Sequence, residues 1–455
     1  MQHITSFDRA YFIGIGGIGM SALARYFNNK GWKVAGYDKT PSPITKALEE
    51  EGVSVHFEDL GEHLPSDFLD RENTLVIYTP AIPKEMKELV FVQSSGFVVK
   101  KRAEVLGMIT RDSKALGVAG THGKTTTSTM LAHILNESDL GCNAFLGGIA
   151  ANFNSNFVSH PTSEWTVVES DEFDRSFLQL TPFASIVTST DADHLDIYGD
   201  NSEFLEGFKS YVNLIDPNGF AVLHKDIEFS VNNEIRYGLE CDADFSAANL
   251  RVENGAFFMD VQTPKSDWQA VELGVPGTHN AENALACIAL GVQLGLSEEV
   301  LRAALKSFKG VKRRFEYHIR NEKKIYIDDY AHHPTEINAL LNSVDLMYPN
   351  KRVLGIFQPH LFSRTRDFFG EFAKALSRLD EVVLLLIYPA RELPIDGITS
   401  EALLTEVQAS KKSVLSPSEA VEYAASSDYD VILTIGAGDI DRIVLPLKAE
   451  LEKYG

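Results

Sequence analysis

The chain has 455 residues, 44% of them hydrophobic and 23% charged, which is an ordinary globular composition. Its formal net charge of −22 argues against nucleic acid as a general partner, because a phosphate backbone requires clustered lysines and arginines. The three cysteines are too few and too widely spaced for a disulfide framework or a metal cluster, which is typical of a reducing compartment. At about 150 residues per domain, the length predicts roughly three domains.

The sequence carries no signal for a membrane or for export. No apolar run approaches the roughly 20 residues that cross a bilayer, and the first residues are not a basic region followed by an apolar one. We therefore expect a soluble cytoplasmic protein that acts without a membrane, as a monomer or a weak homodimer.

The first predicted unit is a parallel α/β segment that opens with a glycine-rich loop. The loop at residues 14–19 has G-x-G-x-x-G spacing, which lets a diphosphate approach a helix N-terminus, and Asp38 ends the next strand. This fingerprint alone does not distinguish NAD from another diphosphate. Strands are predicted at residues 11–13, 33–37, 75–78 and 97–99, with a helix at 20–29.

The strongest local motif is a second glycine loop between a strand at 115–119 and a helix that runs to about residue 137. Its backbone N–H groups suit a phosphate, Lys124 can reach the β- and γ-phosphates, and the hydroxyl of Thr125 can ligate Mg²⁺. Val118 stands where the standard nucleotide loop has its first glycine, so this loop is a short variant. The predicted ATP-binding residues of the loop are Gly120, Thr121, His122, Gly123, Lys124, Thr125 and Thr126.

Acidic and polar residues follow the next two predicted strands, 165–168 and 184–188. Glu169 ends the first of them, and the carboxyl ends of parallel strands gather ligands, so Glu169 is predicted to face the phosphates as a metal ligand. His194 follows the second strand and is either a ligand of a second metal ion or a structural histidine.

A third α/β alternation follows a stretch of antiparallel character at 246–275 and a helix at 281–294. Asp329 and His332 come at the end of its first strand, where hydrogen bonding to substrate or nucleotide is predicted, and Pro334 suits the first turn of the next helix. Arg364 follows a later strand and suits a carboxylate, which it can grip with two hydrogen bonds. Strands are predicted at residues 324–327, 353–357, 382–387 and 431–435.

Two nucleotide-type loops in one acidic chain indicate an ATP-driven reaction on a substrate with its own nucleotide group. Only the second loop carries catalytic residue types, and the first has the shape for a diphosphate. Domain boundaries are expected near residues 112 and 315, which gives domains at 1–112, 113–315 and 316–455.

These motifs together resemble the Mur ligase family over the whole chain. The family order is matched by the loop at 120–127, by Glu169, by Asp193-His194, by His279-Asn280-x-x-Asn283 and by Arg313-Arg314-Phe315. Residues 14–21, 328–336, 357–360 and 434–439 resemble, within the family, the branch that adds L-alanine to UDP-N-acetylmuramate.

The resemblance implies an α/β protein of three domains. A Rossmann-like N-terminal domain would bind the UDP substrate. A central P-loop ATPase domain with added antiparallel strands would bind ATP. A Rossmann-like C-terminal domain would close over ATP and bind the amino acid. It further implies that the substrate carboxylate attacks the γ-phosphate of ATP, and that an amine then displaces phosphate from the acyl phosphate to form an amide.

The resemblance also assigns the site residues. Lys124, Glu169 and His194 are expected to be catalytic, with Thr125, Glu169 and His194 as ligands of Mg²⁺. ATP would be contacted further by His279, Asn283, Arg314 and Asp329. UDP would be held by Gly14, Gly16, Gly17, Gly19, Asp38 and Thr79. The muramyl and alanine carboxylates would be placed by Tyr330, His332, His360 and Arg364.

Three other functions stay open at this point. A recycling ligase that adds a whole murein peptide shares the stretch at 328–335 but lacks the Phe-Gln-Pro-His stretch at 357–360. A nicotinamide dehydrogenase leaves the loop at 120–127 unexplained. A non-catalytic ATP-gated binding protein requires no catalytic lysine.

Lys209 lies where some sister ligases carry a carbamylated lysine, although the alanine-adding branch is not known to rely on it.

Overall fold

The computed structural model describes residues 4–191, 201–390 and 392–454. They form an α/β fold with three separate sheets, which confirms the predicted fold class. The chain divides into two compact units, Met1–Ala248 with Asp260–Val271 and Glu282–Lys309, and Asn249–Met259 with Glu272–Ala281 and Gly310–Gly455. The domain boundaries near 112 and 315 stay predictions. Within the described residues, no helix is both long and apolar enough to cross a membrane.

The first sheet has five strands in the order β3-β2-β1-β4-β5, and all its pairs are parallel. The chain reverses its direction of winding between the neighbours β1 and β4, which is where ligands bind in open sheets of this kind. Short 3-10 turns lie at Ile4–Ser6 and Ser66–Phe68. The strands are β1 Arg9–Ile13, β2 Lys33–Tyr37, β3 Ser54–His56, β4 Thr74–Tyr78 and β5 Val98–Lys101. The helices are α1 Ile18–Asn29, α2 Pro43–Glu50, α3 Lys87–Ser94 and α4 Arg102–Arg111.

The second sheet has ten strands in the order β15-β14-β13-β12-β11-β10-β6-β9-β7-β8. Strand β6 pairs in parallel with β9 on one side and β10 on the other, so their carboxyl ends meet at one edge. Short connections join β13 to β14 and β14 to β15, which makes them antiparallel hairpins, as the sequence predicted. The strands are β6 Lys114–Ala119, β7 Asn143–Ala150, β8 Ser155–Val158, β9 Trp165–Glu169, β10 Pro182–Val187, β11 Phe220–His224, β12 Glu234–Leu239, β13 Phe245–Glu253, β14 Ala256–Gln262 and β15 Asp267–Leu273. The helices are α5 Lys124–Asn136, α6 Asn201–Val212, α7 Thr278–Gln293 and α8 Glu298–Ser307, with a 3-10 segment at Phe173–Gln179.

The third sheet has six strands in the order β16-β17-β21-β18-β19-β20. The β16–β17 pair is antiparallel and the others are parallel, and apolar clusters cover both faces. Helix α9 begins at Pro334, which confirms the proline-based prediction. The strands are β16 Glu316–Arg320, β17 Ile325–Asp329, β18 Val353–Phe357, β19 Glu381–Leu384, β20 Lys411–Val414 and β21 Val431–Ile435. The helices are α9 Pro334–Met347, α10 Phe362–Asp367, α11 Phe369–Leu376, α12 Ser400–Glu406, α13 Pro417–Ser426 and α14 Asp441–Tyr454.

Candidate active site

The predicted phosphate loop lies between β6 and α5, at the carboxyl edge of the second sheet. Gly123 caps α5 with φ +82°, a conformation that side chains rarely adopt. A β-carbon at this position would lie 2.8 Å from Oδ1 of Asn283. The structure therefore brings Asn283, predicted as an ATP residue, against the loop, and both features require glycine at residue 123.

The segment that follows β10, residues 188–191, forms hydrogen bonds with this loop. Thr121 donates from its backbone N–H to the carbonyl of Ser189 at 3.2 Å and from its hydroxyl to the carbonyl of Asp191 at 2.7 Å. The backbone N–H of His122 donates to Oγ of Ser189 at 3.0 Å, and the hydroxyl of Thr188 donates to the carbonyl of His122. These four hydrogen bonds hold the loop in shape. His194 lies outside the described residues, so its predicted metal role stays a prediction.

Lys124, at the start of α5, pairs with a buried carboxylate that the sequence analysis did not single out. Its Nζ lies 2.8 Å from Glu172 and donates to the carbonyl of Gly120 at 2.7 Å. The side chain of Glu172 is 1% exposed. Burial raises the pKa of Glu172, and the neighbouring Lys124 ammonium opposes that rise.

Glu169 ends β9 beside the strand that leads into the phosphate loop. Its register partner is Val118 of β6, and the next residue, Ser170, donates its backbone N–H to the carbonyl of Val118 at 2.8 Å. A β-carbon on Gly147 of β7 would lie 2.3 Å from Oε2 of Glu169, so the carboxylate packs directly on that glycine. With the hydroxyl of Thr125 in the first turn of α5, this edge offers the hard oxygen donors that Mg²⁺ prefers.

The first glycine loop is tied to the strand ends around it. The backbone N–H groups of Gly14 and Ile15 donate to the carbonyl of Tyr37 at 2.8 and 2.9 Å. The backbone N–H of Gly16 donates to the carboxylate of Asp38 at 2.7 Å. A β-carbon on Gly14 would lie 2.7 Å from Cγ2 of Thr79, which follows β4. The structure thus brings the predicted UDP residues of β1, β2 and β4 together, with Asp38 bonded to the loop itself.

A cavity of about 280 Å³ within the first unit is lined both by residues of the first glycine loop and by Glu169. Arg102, at the start of α4, lies in its wall, and its Nη2 is 3.5 Å from the carboxylate of Asp171. The sequence analysis did not single out Arg102. The remaining lining residues are Gly17, Ile18, Gly19, Met20, Ala22, Leu23, Thr79, Leu106, Phe145, Leu146, Gly147 and Glu169. One cavity therefore has the diphosphate-type loop on one wall and Glu169 on another.

In the second unit, buried carboxylates hold the arginine motif at residues 313–315. Asp329 accepts hydrogen bonds from the backbone N–H of Phe315 at 2.7 Å and of Ala331 at 2.8 Å, and burial raises the pKa of Asp329 to about 6. Arg313 donates to Asp328 at 3.1 Å. The guanidinium carbons of Arg313 and Arg314 lie 5.2 and 5.1 Å from the centre of the Tyr330 ring. Asp329 and Tyr330, predicted as ligand residues, thus also order this motif.

The predicted carboxylate-binding residues of the C-terminal segment form a cluster. The rings of His332 and His360 are 6.1 Å apart, and Nη1 of Arg364 is 3.3 Å from Nδ1 of His360. Burial, with help from Arg364, lowers the pKa of His360 to about 4, and burial also lowers the pKa of His332. Both imidazoles are therefore neutral at pH 7, and Arg364 carries the positive charge of this cluster.

The loop at residues 436–439, to which the sequence analysis gave no role, is bound by Gln358. Gln358 follows β18, donates to the carboxylate of Asp439 at 2.8 Å and accepts from the backbone N–H of Ile440 at 2.9 Å. Arg313 donates to the carbonyl of Gly436 at 2.6 Å. These hydrogen bonds connect the loops at the carboxyl ends of β18 and β21 with the arginine motif beside β17.

The remaining predicted positions are placed as follows. His279 belongs to the second unit with Arg314 and Asp329, whereas Asn283 and the phosphate loop belong to the first. The side chain of Lys209 is 46% exposed, and its Nζ is 3.7 Å from Glu206 on the same helix. The roles assigned to all these site residues stay predictions.

Comparison with known proteins identifies the class. Sequence profiles of the Mur ligase family match residues 9–114 (catalytic domain), 118–291 (middle domain) and 313–438 (glutamate ligase domain). The chain belongs to the Mur ligase family.

Individual relatives narrow the comparison. The chain is 50% identical to the UDP-N-acetylmuramate–L-alanine ligase of Flavobacterium psychrophilum over 99% of this chain and 100% of the relative. It is 46% identical to the ligase of the same name from Cytophaga hutchinsonii over 100% and 99%. The crystal structure of the UDP-N-acetylmuramate–alanine ligase from Thermotoga maritima is similar with a TM-score of 0.84 at 28% identity, over 98% of this chain and 99% of that one. A murein peptide ligase from Psychrobacter arcticus shares the fold with a TM-score of 0.71 at 23% identity, over 97% and 98%.

Proposed function

We propose that this Mur ligase joins L-alanine to the carboxylate of UDP-N-acetylmuramate, with ATP as the energy source, in the synthesis of peptidoglycan precursors. The observation that carries the proposal is identity of 46–50% along the whole chain with relatives named for this reaction. The murein peptide ligase is only 23% identical to this chain. This level of identity supports a shared fold but does not indicate a shared substrate. Because the reaction consumes ATP, the proposal includes a cytoplasmic location.

The phosphate loop supports the ATP half of the proposal. Its backbone N–H groups at the start of α5 suit the phosphates, and Lys124 would neutralise charge on the transferred phosphoryl group. Mg²⁺, held by Thr125 and Glu169 and with His194 as the ligand of a second ion, would supply further positive charge there. The donor set fits, since a hydroxyl and a carboxylate come from the same sheet edge.

The cavity beside the first glycine loop supports the substrate half. Its wall at Gly17 and Gly19 suits the diphosphate of a UDP group, while Glu169 marks the end nearest the ATP loop. A UDP-linked sugar acid bound along it would carry its carboxylate towards the γ-phosphate. Arg102 would add a positive charge in this wall.

The proposed reaction has two steps, phosphoryl transfer and amide formation. A carboxylate oxygen of the muramyl group bonds to the γ-phosphorus, and the bond from that phosphorus to the β-phosphate oxygen breaks to release ADP. The amine of L-alanine then bonds to the acyl carbon, and the tetrahedral intermediate collapses with loss of phosphate and a proton to give the amide. Arg364, beside the neutral imidazoles of His332 and His360, would hold a carboxylate so that the amine is oriented.

The test is phosphate release from ATP and Mg²⁺ with UDP-N-acetylmuramate, in the presence and absence of L-alanine, followed by the mass of the product. We expect release that requires both co-substrates, and a product heavier by one alanyl residue. Phosphate release that does not depend on L-alanine but requires a murein peptide would establish the recycling reaction instead. Absence of release under every combination would refute the ligase activity.

A further inference from the structure

We propose that Glu172 is a positioning residue, which holds the ammonium of Lys124 over the phosphate loop throughout turnover. The inference rests on the proposed ATP-dependent function and concerns how the protein keeps its essential lysine in place. It is drawn from the contacts of Lys124, the burial of Glu172, and the anchoring of the segment that carries Glu172.

The contacts of Lys124 are of two kinds. Both carboxylate oxygens of Glu172 lie 2.8 Å from Nζ, which makes a charge-assisted pair. The other two contacts are to neutral backbone carbonyls of the loop itself, Gly120 at 2.7 Å and Thr121 at 3.4 Å. An ammonium has three N–H donors, so a phosphate that enters the loop must replace some of these partners.

Burial decides which partners are replaced. The side chain of Glu172 is 1% exposed and that of Lys124 is 15% exposed. A charge-assisted bond to a buried carboxylate is costly to break, whereas loss of a bond to a neutral loop carbonyl is a small change. The carbonyl contacts of Gly120 and Thr121 are therefore the ones that phosphate oxygens replace, and the bond to Glu172 persists.

The backbone that carries Glu172 is anchored well enough to act as a fixed support. Arg175 donates its backbone N–H to the carbonyl of Glu172 at 2.9 Å, and Phe177 donates to the carbonyl of Asp171 at 2.9 Å. The Phe177 ring is fully buried and stacks on Tyr211 at 4.9 Å. Asp174 and Arg175 have φ of +52° and +53°, a conformation that persists only where the surroundings determine it.

The first test is the kinetics of Glu172→Gln, which keeps the shape of the side chain and removes its charge. We expect kcat to fall by about 10²-fold, because a displaced catalytic group costs roughly that much. KM for UDP-N-acetylmuramate and for L-alanine should stay within roughly twofold of the wild type. Glu381→Gln is the matched control, since Glu381 is 2% exposed and accepts from Tyr423 but belongs to strand β19. It should lower the unfolding temperature without lowering kcat.

The second test asks whether Glu172 acts through Lys124, and it needs no turnover. The dissociation constant of MgADP is measured for the wild type, Lys124→Met, Glu172→Gln and the double variant. Glu172→Gln should weaken MgADP binding in the wild-type background and leave it unchanged in the Lys124→Met background.

The outcomes separate this inference from the proposed function. If the wild type releases no phosphate, the proposed function is refuted. The MgADP dissociation constants of the four proteins then still test whether Glu172 acts through Lys124. If the wild type is active, the decisive comparison is the kcat of the two variants, corrected for the folded fraction. A fall in kcat of Glu172→Gln no larger than that of Glu381→Gln would overturn the inference. Equal weakening of MgADP binding by Glu172→Gln in both backgrounds would overturn it as well.

Discussion

The side-chain amide of Asn156 donates a hydrogen bond to the backbone carbonyl of Ile18 at 2.5 Å, which links strand β8 to the first residue of α1. The same side chain contacts the hydroxyl of Ser21 at 2.9 Å and accepts from Arg25 at 2.5 Å. Asn156 is fully buried and Arg25 is 7% exposed. Since Ile18 lies within the glycine loop at residues 14–19, this buried polar cluster fixes the loop against the second sheet.

Replacement of Asn156 by alanine should destabilise the protein, because it removes the buried acceptor of the Arg25 guanidinium and the amide that donates to Ile18 and Ser21. We expect the free energy of unfolding to fall by about 1–3 kcal/mol, measured by urea denaturation. KM for the UDP substrate should rise with it. Asn28→Ala is the control: Asn28 also donates to a carbonyl, that of Glu51 at 3.0 Å, but in an exposed setting. Equal losses for the two variants would contradict the role of the buried cluster.

Replacement of Gly123 by alanine should abolish nucleotide binding. The new β-carbon would meet Asn283 at 2.8 Å, and the backbone φ of +82° is strained for any side chain. Gly31→Ala separates the two effects, because Gly31 has φ +80° and nothing within 4 Å of its β-carbon position. Both variants should lose about 1 kcal/mol of stability, and only Gly123→Ala should lose its thermal shift with MgADP. Loss of that shift in Gly31→Ala would refute the argument.

Replacement of Gly147 by alanine tests the position of Glu169 without removal of its carboxylate. The added methyl group would lie 2.3 Å from Oε2 of Glu169 and must displace it. We expect the Mg²⁺ concentration for half-maximal activity to rise by about tenfold, the scale seen when groups that support a metal ligand are altered. Gly370→Ala, with open space around its β-carbon position, should leave the Mg²⁺ dependence unchanged. An unchanged Mg²⁺ requirement in Gly147→Ala would argue against Glu169 as a ligand.

The ionisation of Asp329 should make stability depend on pH. Burial raises the pKa of Asp329 to about 6, so the folded protein binds this proton more tightly than the unfolded chain does. The stabilisation is complete below about pH 4 and is lost as the pH rises through about 6. From pH 4 to pH 7, the unfolding free energy of the wild type should fall by roughly 2 kcal/mol relative to Asp329→Asn.

The measurement is urea unfolding of both proteins across this pH range, with Asp430→Asn as a control of opposite sign. Asp430 accepts from the backbone N–H of Arg352 and from Lys351, and these bonds lower the pKa of Asp430. Its contribution is therefore present at neutral pH and lost as the pH falls. Parallel pH curves for the wild type and Asp329→Asn would show that the folded pKa of Asp329 is not raised.

Local sequence patterns were sufficient to predict about half of the strands and the two glycine loops. The predicted strands at 33–37, 353–357 and 431–435 match the structure residue for residue, because each is a short apolar run that ends at polar or turn-forming residues. The glycine loops at 14–19 and 120–123 also lie where predicted, after β1 and β6. Both signals are contained within a few neighbouring residues.

Pairings between distant residues were not predictable in this way. Glu172 bonds to a lysine 48 positions earlier, and Gln358 bonds to an aspartate 81 positions later. Arg102 reaches its cavity wall because α4 packs beside α1, which no periodicity in the sequence reveals. Glu172 was visible within an acidic stretch, but nothing in that stretch distinguished its buried carboxylate from the exposed carboxylates around it.

The strand order of the third sheet has a consequence for the way the protein is made. Strand β21, the last of these six strands to leave the ribosome, lies between β17 and β18, so those two strands have no neighbour across that gap until about residue 435 has emerged. Pairing across so long a stretch of chain is slow, and unpaired strand edges favour aggregation. We expect this part of the protein to complete its folding only after residue 435 has left the ribosome, and a stop codon shortly before residue 431 to yield a chain that chaperones retain or proteases remove.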